Sequence, residues 1–297
     1  VNEQGGILGK KVVPIVINDE NKPDIGKLNL RKAIETDKID FILGGMNSAV
    51  VVTAMDVMAE YKKIWIGAGG ATPQVIQNIV KDYDKYKYYF RAGTIDSIKQ
   101  GEAGADLVIN YMGPKFGIKK VALVGADQVY SKFMLGTSKK KLEEAGFEVV
   151  YENYLPTSTT DFSPVFSQIK EKGAKIVLEA WPSTEAITFV KQFNANKVPA
   201  ILLGAVIEAL KDEWFEETCG GCVYQAGFSP QSGPAPMTDK TLTFAENFKN
   251  KYGKSAGYIA YPSYDSVYIL KAAIELAGTT TDTDKLIKTL EDIDYKG

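Results

Sequence analysis

The sequence predicts an α/β protein with two similar lobes, each built on a parallel sheet. Short β-branched and apolar runs alternate with helical patterns along the chain of 297 residues, which is typical of parallel sheets covered by helices on both faces. Strand starts near 11, 39 and 64 recur near 147, 174 and 200. Two related Rossmann-like lobes explain this offset of about 135 residues.

Each element follows from a local pattern. The predicted strands are the apolar runs Val12–Ile17, Ile39–Leu43, Ile64–Ile66, Val121–Val124, Phe147–Tyr154, Lys175–Leu178 and Ala200–Leu203. Helical periodicity predicts helices near 25–36, 48–61, 73–81, 130–145, 162–172, 183–195, 207–217, 238–252, 257–277 and 283–292. The repeat places the partners of the strand at 121–124 and of the helix at 130–145 before residue 1. We therefore expect the first strand of lobe one to be missing.

Two extended segments are predicted to join the lobes as a hinge. Tyr88–Thr94 precedes the second copy of the repeat, and Val223–Phe228 ends it before the Pro-rich stretch 229–236. Only helices follow, and they are expected to return to lobe one. Lobe one is predicted as residues 1–92 plus 227–297 and lobe two as residues 93–226, with a ligand cleft between them.

The composition excludes several classes of function. The chain has no histidine, which excludes imidazole-dependent nucleophile pairs and histidine-ligated zinc. Its 35 basic and 37 acidic residues nearly balance, so the basic surplus of a nucleic-acid binder is absent. No apolar run reaches the ~20 residues needed to cross a bilayer. Gly67–Thr72 lacks the third glycine of a dinucleotide fingerprint, and no cofactor is predicted.

The two cysteines form the motif Cys219-Gly-Gly-Cys222. A thioredoxin-type pair would precede a helix, whereas an extended run, Val223–Ala226, follows this one. A local disulfide is therefore favoured, with free thiols and a redox or metal role as the alternatives. A disulfide would imply an oxidising compartment.

Candidate ligand contacts lie at four strand-to-helix junctions. Ligands of open parallel sheets bind outside the carboxyl ends of the strands, where helix N-termini offer free N–H groups. Lobe one has such junctions at Gly44–Ala49 and Gly67–Pro73, and lobe two at Glu179–Ser183 and Gly204–Glu208. The junctions are equivalent under the repeat, so they are expected to face each other across the cleft.

Several side chains at these junctions have two open interpretations. Ser48 and Thr72 either cap the helices that follow them or hold an anionic ligand group with the adjacent N–H groups. Tyr130 and Trp181 are either aromatic walls of the site or packing residues. Glu208 either meets a ligand amino group or serves as a first-turn carboxylate.

One arginine lies at the predicted hinge. Arg91 is expected to pair with a nearby carboxylate such as Asp96 rather than with the ligand.

The ordered set of short motifs resembles the branched-chain-amino-acid-type periplasmic binding proteins. Residues 2–10, Asn-Glu-Gln-Gly-Gly-Ile-Leu-Gly-Lys, are similar to the family signature that ends the first helix. Further similarities follow in order at Asn18–Glu20, Gly44–Ser48, Ala71–Pro73, Phe90–Gly93, Gln128–Tyr130 and Tyr264–Val267. The resemblance covers essentially the whole chain. It implies the type I periplasmic binding protein fold, with the last crossover also missing.

The resemblance also implies site residues. Ser48 matches the position that holds the ligand carboxylate, and the family's amino-binding glutamate falls near Val206, two residues before Glu208. The predicted ligand-binding residues are Asn47, Ser48, Gly70, Ala71, Thr72, Tyr130, Trp181 and Glu208.

The function implied is that of a non-enzymatic, extracytoplasmic receptor of an ABC importer. It would close its lobes around a small carboxylate-bearing ligand, such as a branched-chain amino acid, and present it to a membrane permease. A lipid anchor before residue 1 is one option for its attachment. Val206 favours an aromatic or other non-amino organic acid as the alternative ligand. A sensor ectodomain and a nucleotide-dependent oxidoreductase are the less favoured alternatives.

Overall fold

The computed structural model describes residues 1–93, 95–228 and 235–297. Thr94, the last residue of one predicted hinge segment, and residues 229–234, in the Pro-rich stretch after the other segment, lie outside the described residues. The chain divides into two compact units: unit one is Val1–Thr94, Pro236–Phe244 and Ile259–Gly297, and unit two is Ile95–Ala235 and Ala245–Tyr258. The lobe boundaries drawn from the sequence stay a prediction.

The elements are numbered in chain order. The strands are β1 (Ile42–Leu43), β2 (Trp65–Gly67), β3 (Tyr89–Arg91), β4 (Lys120–Ala126), β5 (Glu148–Leu155), β6 (Ile176–Trp181), β7 (Ile201–Val206) and β8 (Ala226–Gly227). The helices are α1 (Pro23–Glu35), α2 (Ser48–Glu60), α3 (Gln74–Lys81), α4 (Tyr83–Tyr86), α5 (Ser97–Leu107), α6 (Gly113–Phe116), α7 (Val129–Glu144), α8 (Ser163–Lys172), α9 (Glu185–Ala195), α10 (Trp214–Glu217), α11 (Thr241–Tyr252), α12 (Ala260–Ala277) and α13 (Thr283–Asp292).

Unit one has a short parallel sheet in the order β1-β2-β3. Helix α2 packs on it through side chains with almost no exposure, among them Val51, Met55 and Met58. Trp65 and Tyr89, which pair across β2 and β3, meet edge to face with ring centroids 5.5 Å apart. The buried helix and the paired strand ends hold the loops that follow β1 and β2.

Unit two has a five-stranded parallel sheet in the order β5-β4-β6-β7-β8. Side chains alternate along β4: Val121 and Leu123 enter one buried cluster, and Ala122 and Val124 enter the other. Both faces are therefore covered, which explains the nearly continuous apolar strands. This arrangement confirms the predicted fold class.

One predicted strand is wrong. Residues 12–17 have no strand structure, and Val16 is almost fully exposed. The side-chain amide of Asn2 donates to Val12 O at 2.9 Å and accepts from Val12 N at 2.8 Å. Pro14 has no N–H to donate, so this segment offers a poor edge for a ladder.

Two helical regions differ from expectation. Helices α5 and α6 and the π-helical turn Val108–Met112 between them had no counterpart in the prediction. The helix predicted near 207–217 is instead the 3-10 segment Glu208–Leu210 followed by α10, because the backbone becomes extended at Lys211. None of the described helices combines the length and apolar character needed to cross a membrane.

Candidate functional site

The loops that follow β1 and β2 are held against each other in unit one. Gly69 N donates to Gly45 O, and Gly70 N donates to Met46 O, both at 3.0 Å. A Cβ at Gly69 would lie 2.6 Å from Gly45 O, so only glycine permits this approach. These bonds place residues 68–72 beside the start of α2.

Asn47 caps helix α2. Its Oδ1 accepts hydrogen bonds from Ala49 N at 2.8 Å and Val50 N at 3.2 Å, and its Nδ2 donates to Asn21 Oδ1 at 2.6 Å. Ser48 is the first helical residue, so of its two open interpretations the capping one is wrong. Asn47, predicted to bind ligand, has its polar atoms engaged within unit one.

Three donors beside this cap have no partner within the described residues. The Ser48 hydroxyl makes no hydrogen bond there, and neither do the N–H groups of Ala71 and Thr72. Ser48 is 5%, Ala71 6% and Thr72 0% exposed. Buried backbone N–H groups without a partner are rare in folded proteins. Such donors suit an oxyanion, which accepts stronger hydrogen bonds than a neutral oxygen does.

Thr72 lies two residues before helix α3, whose N-cap is Pro73. Its Oγ1 accepts from Gln74 N at 3.3 Å, in the first turn of α3. The Thr72 hydroxyl is thus engaged with the start of α3 although Thr72 is not the N-cap, and its backbone N–H stays available.

Arg91, at the end of β3, supports the same loop. Its Nη2 donates to Gly70 O at 3.1 Å and to Thr72 O at 3.0 Å. The expected pairing with Asp96 is wrong, because the Asp96 carboxylate accepts from Lys99 N at 3.0 Å and caps α5. Sequence reasoning placed Arg91 at a hinge and missed this contact with the loop.

In unit two, polar side chains follow β4 and β6. Gln128 Nε2 donates to Ser183 Oγ at 3.3 Å, and Ser183 Oγ donates to Glu185 Oε1 at 3.1 Å. Tyr130 donates its hydroxyl to Gln100 Oε1 at 2.6 Å. Burial raises the pKa of the Tyr130 hydroxyl, so the side chain is a neutral, half-buried phenol.

Trp181 is placed in the core rather than at an accessible edge. It is fully buried, and its ring packs on Phe162 and Phe189 with centroids 5.9 and 4.9 Å away. Its predicted role as an aromatic wall is corrected to a packing role, because the ring is fully buried against these two side chains and its indole N–H donates to Glu179.

Glu179 is a buried carboxyl that sequence reasoning missed. It accepts hydrogen bonds from Trp181 Nε1 at 3.0 Å and from Gln225 Nε2 at 2.7 Å. Burial raises the pKa of Glu179 to about 7, and these two hydrogen bonds oppose the rise. The period-2 alternation that puts Val177, Glu179 and Trp181 on one face was the available signal.

Glu208 lies just after β7, and it is 6% exposed. Its carboxylate pairs with the Nζ of Lys211, one turn further along. Glu185 is buried nearby, and burial, with a contribution from the charge of Glu208, raises the pKa of its carboxyl. Ile207 N donates to Trp181 O at 3.1 Å, which keeps the ends of β6 and β7 together.

Cys219 and Cys222 are free thiols in the structure, so the disulfide predicted for this pair is not present. Cys219 is exposed and has a left-handed φ of +53° in a run of turns, while Cys222 packs partly against the core. Within the part of the chain that the structure describes, no group of three or more acidic or cysteine side chains could hold a metal ion.

Comparisons with known proteins agree with this geometry. A family model described as periplasmic binding protein matches residues 1–297. The chain is 22% identical to the Leu/Ile/Val-binding protein BraC3 of Rhizobium johnstonii, over 98% of this chain and 75% of that protein. The leucine-binding protein LivK of Thermotoga maritima has a TM-score of 0.84 at 20% identity, over 97% of this chain and 79% of LivK.

A solute-binding protein of an ABC transporter from R. palustris, in complex with benzoate, is also similar in structure. Its TM-score is 0.80 at 17% identity, over 99% of this chain and 78% of that one. Proteins similar to this chain thus include one named for an amino acid and one seen with an aromatic acid.

Proposed function

The chain belongs to the periplasmic binding protein family, and we propose that it is the receptor of an ABC importer for a small ligand that carries a carboxylate. Members of this family act outside the cytoplasmic membrane. Its partner is a membrane permease, and its lobes close in response to the ligand. Both features are implied by the family resemblance. That the protein catalyses no reaction stays a prediction.

One observation carries the choice of a carboxylate. Ser48 Oγ, Ala71 N and Thr72 N are donors without a partner in the described residues, and they belong to two loops joined by hydrogen bonds. A carboxylate has two oxygens with about four acceptor positions, which is enough for all three donors. The N-terminus of α2, a helix of 13 residues, adds the positive end of its dipole.

The electrostatics of this edge also favour an anion. Among the described residues no carboxylate forms an ion pair with Arg91, whose guanidinium donates to two carbonyl oxygens of the loop and lies near the Tyr89 hydroxyl. Its charge is therefore not cancelled locally. A ligand carboxylate is ionised at neutral pH and would meet a positive potential here.

A branched-chain amino acid is the first ligand candidate, because the relatives BraC3 and LivK carry such names. Its ammonium would need a carboxylate partner. Glu208 is the predicted partner and is buried, and Glu185 lies close enough to interact with it. Among the described residues Lys211 pairs with Glu208 and not with Glu185, and an added cation would be stabilised by the second negative charge.

A non-amino organic acid is the second candidate. The Lys211 ion pair already neutralises Glu208, and Val206 ends β7 where the family's amino-binding glutamate is expected. A ligand without an ammonium would leave that pair intact. The similar protein with bound benzoate belongs to this class.

The test is a thermal-shift panel followed by calorimetric titration of the full chain. Leucine, isoleucine, valine, benzoate and 4-hydroxybenzoate are the carboxylate probes, and leucinamide and benzamide are matched controls without the charge. A ligand at a hundredfold over its Kd adds about 2.7 kcal/mol, which raises Tm by roughly 5 °C for a chain of this size.

A shift with leucine but not with leucinamide supports the amino-acid receptor. A shift with benzoate alone supports the second candidate. Binding of the amides as tightly as the acids would contradict a carboxylate site. A shift with NAD alone would point to the oxidoreductase alternative.

A further inference from the structure

We propose that Arg91 is a positioning residue for the anion site of unit one, an inference that rests on the proposed function. Its Nη2 bonds to Gly70 O and Thr72 O, at 3.1 and 3.0 Å. These are the carbonyl groups on either side of the two free N–H donors at Ala71 and Thr72. Arg91 therefore holds the backbone that presents the donors.

The peptide between Gly70 and Ala71 determines where the Ala71 N–H points. No cis peptide bond occurs in the described residues, and in a trans peptide the C=O and N–H groups point to opposite sides. Because Arg91 holds the Gly70 carbonyl, the Ala71 N–H is directed away from the guanidinium. The N–H of Gly70 is bound to Met46 O at 3.0 Å. The peptides before and after Gly70 are thus both fixed.

This restraint matters because Gly70 is a conformationally adaptable residue of the loop. Its φ of +50° lies in the left-handed region, where glycine loses no energy to a side-chain clash. A glycine released from its contacts has many accessible backbone conformations. The hydrogen bond from Arg91 selects the one in which Ala71 N–H is a preorganised donor.

The surroundings of Arg91 favour this role over a surface ion pair. Its Nε and the hydroxyl of Tyr89 are buried and lack hydrogen-bond partners within the described chain. Tyr89 lies two residues before Arg91 on the same face of β3; burial raises the pKa of its hydroxyl, and the neighbouring Arg91 opposes that rise. The guanidinium is therefore embedded beside the loop, and its polar contacts are with the loop backbone.

The experiment compares Arg91→Met, which removes the donors, with Arg91→Lys, which keeps a cationic donor. The first readout needs no ligand: the amide resonance of Ala71 in a 15N–1H correlation spectrum of the full chain. The second is the Kd for benzoate and leucine, measured beside benzamide and leucinamide. The amides of Ala49 and Val50, which are bonded to Asn47, serve as an internal control.

Arg91→Met is expected to move the Ala71 resonance and leave those of Ala49 and Val50 in place. It should also raise the Kd of whichever carboxylate probe binds the parent protein by about tenfold. The Kd of the matching amide should change much less. Arg91→Lys should restore affinity to within about threefold, because its Nζ can donate to the same carbonyls.

An unmoved Ala71 resonance in Arg91→Met would overturn the proposal, even if affinity falls, since that pattern indicates direct contact with the ligand. Equal losses for acid and amide would indicate general damage and overturn it as well. If the parent binds none of the carboxylate probes, the proposed function fails, and the Ala71 resonance alone still decides the role of Arg91.

Discussion

The indole Nε1 of Trp181 donates a hydrogen bond to the carboxyl of Glu179 at 3.0 Å, although both side chains are completely buried. The other carboxyl oxygen accepts from Gln225, whose Oε1 in turn accepts from Trp214 Nε1 at 3.0 Å. Two donors directed at two oxygens suit an ionised carboxylate, whereas burial favours the neutral acid. The opposition of these effects makes Glu179 a source of pH dependence in unit two.

Glu179→Gln is expected to remove a slope in stability between pH 4.5 and about 7. Burial raises the pKa of Glu179 from 4.5 to about 7, so the folded protein retains a proton that the unfolded chain has released in this window. The free energy of unfolding therefore falls by an amount on the order of 3 kcal/mol as pH rises from 4.5 to 7. Above pH 7 it is level with respect to this group. Denaturant unfolding at several pH values measures the slope.

The control for this experiment is Glu144→Gln on the exposed end of α7, which should keep the slope of the parent. Glu185, whose pKa is also raised, contributes in the same direction in every variant and cancels in the difference. A Glu179→Gln protein with the slope of the parent would show that Glu179 does not titrate in this window.

Most of the fold could be predicted from the sequence because its strands are buried on both faces. Continuous apolar runs predicted β4, β6 and β7, and the spacing between them reflected the repeated βα units. Helix α5 was missed because Gly101 and Gly104 reduce helix propensity. The structure explains the glycine at 101: a Cβ there would lie 2.2 Å from Met134 O, so the close packing of α5 on α7 requires glycine at this position.

The candidate site was harder to predict from the sequence. The junctions before α2 and α3 were identified, since glycine-rich turns before apolar helices are a local pattern. Whether Asn47 or Ser48 caps α2 depends on the residue at which the helical backbone begins. The sequence pattern does not determine that boundary to a single residue. The burial of Trp181 depends on which face of β6 meets Phe162 and Phe189, a long-range contact.

Ser48→Ala is expected to weaken ligand binding without a change in stability. The hydroxyl has no partner in the described residues, and alanine suits the first turn of a helix, so the free energy of unfolding should stay within about 0.5 kcal/mol of the parent. A hydrogen bond to a charged group contributes about 1.5–3 kcal/mol, which corresponds to a tenfold or greater rise in Kd. Titration calorimetry with the carboxylate probe measures it.

Ser167→Ala, on the exposed side of α8, is the matched control for Ser48→Ala and should bind like the parent. An unchanged Kd in Ser48→Ala would remove the hydroxyl from the carboxylate site.

Asn47→Ala is expected to lower stability, because the N–H groups of Ala49 and Val50 lose their cap. Loss of an N-cap costs about 1 kcal/mol, measured by denaturant unfolding. Asn47→Asp retains the accepting oxygen and should recover most of this loss, despite losing the bond to Asn21. If Asn47→Ala and Asn47→Asp unfold at the same denaturant concentration as each other, the accepting oxygen of the cap does not contribute to stability as the structure indicates.

Gly69→Ala is expected to damage both the fold and the anion site, whereas Gly136→Ala should stabilise the protein. A Cβ at Gly69 would lie 2.6 Å from Gly45 O and 2.7 Å from Met46 Cα, so the two loops must separate. That separation stretches the bond from Gly70 N to Met46 O and moves the donors at Ala71 and Thr72 away from Ser48.

A Cβ at Gly136 meets nothing within 4 Å, and alanine in a helix interior is better than glycine by about 0.5–1 kcal/mol. Unfolding and titration of both variants should therefore give opposite changes in stability, with lowered affinity for the carboxylate probe in Gly69→Ala alone. A Gly69→Ala protein with the affinity of the parent would show that ligand binding does not need the two loops to be in contact.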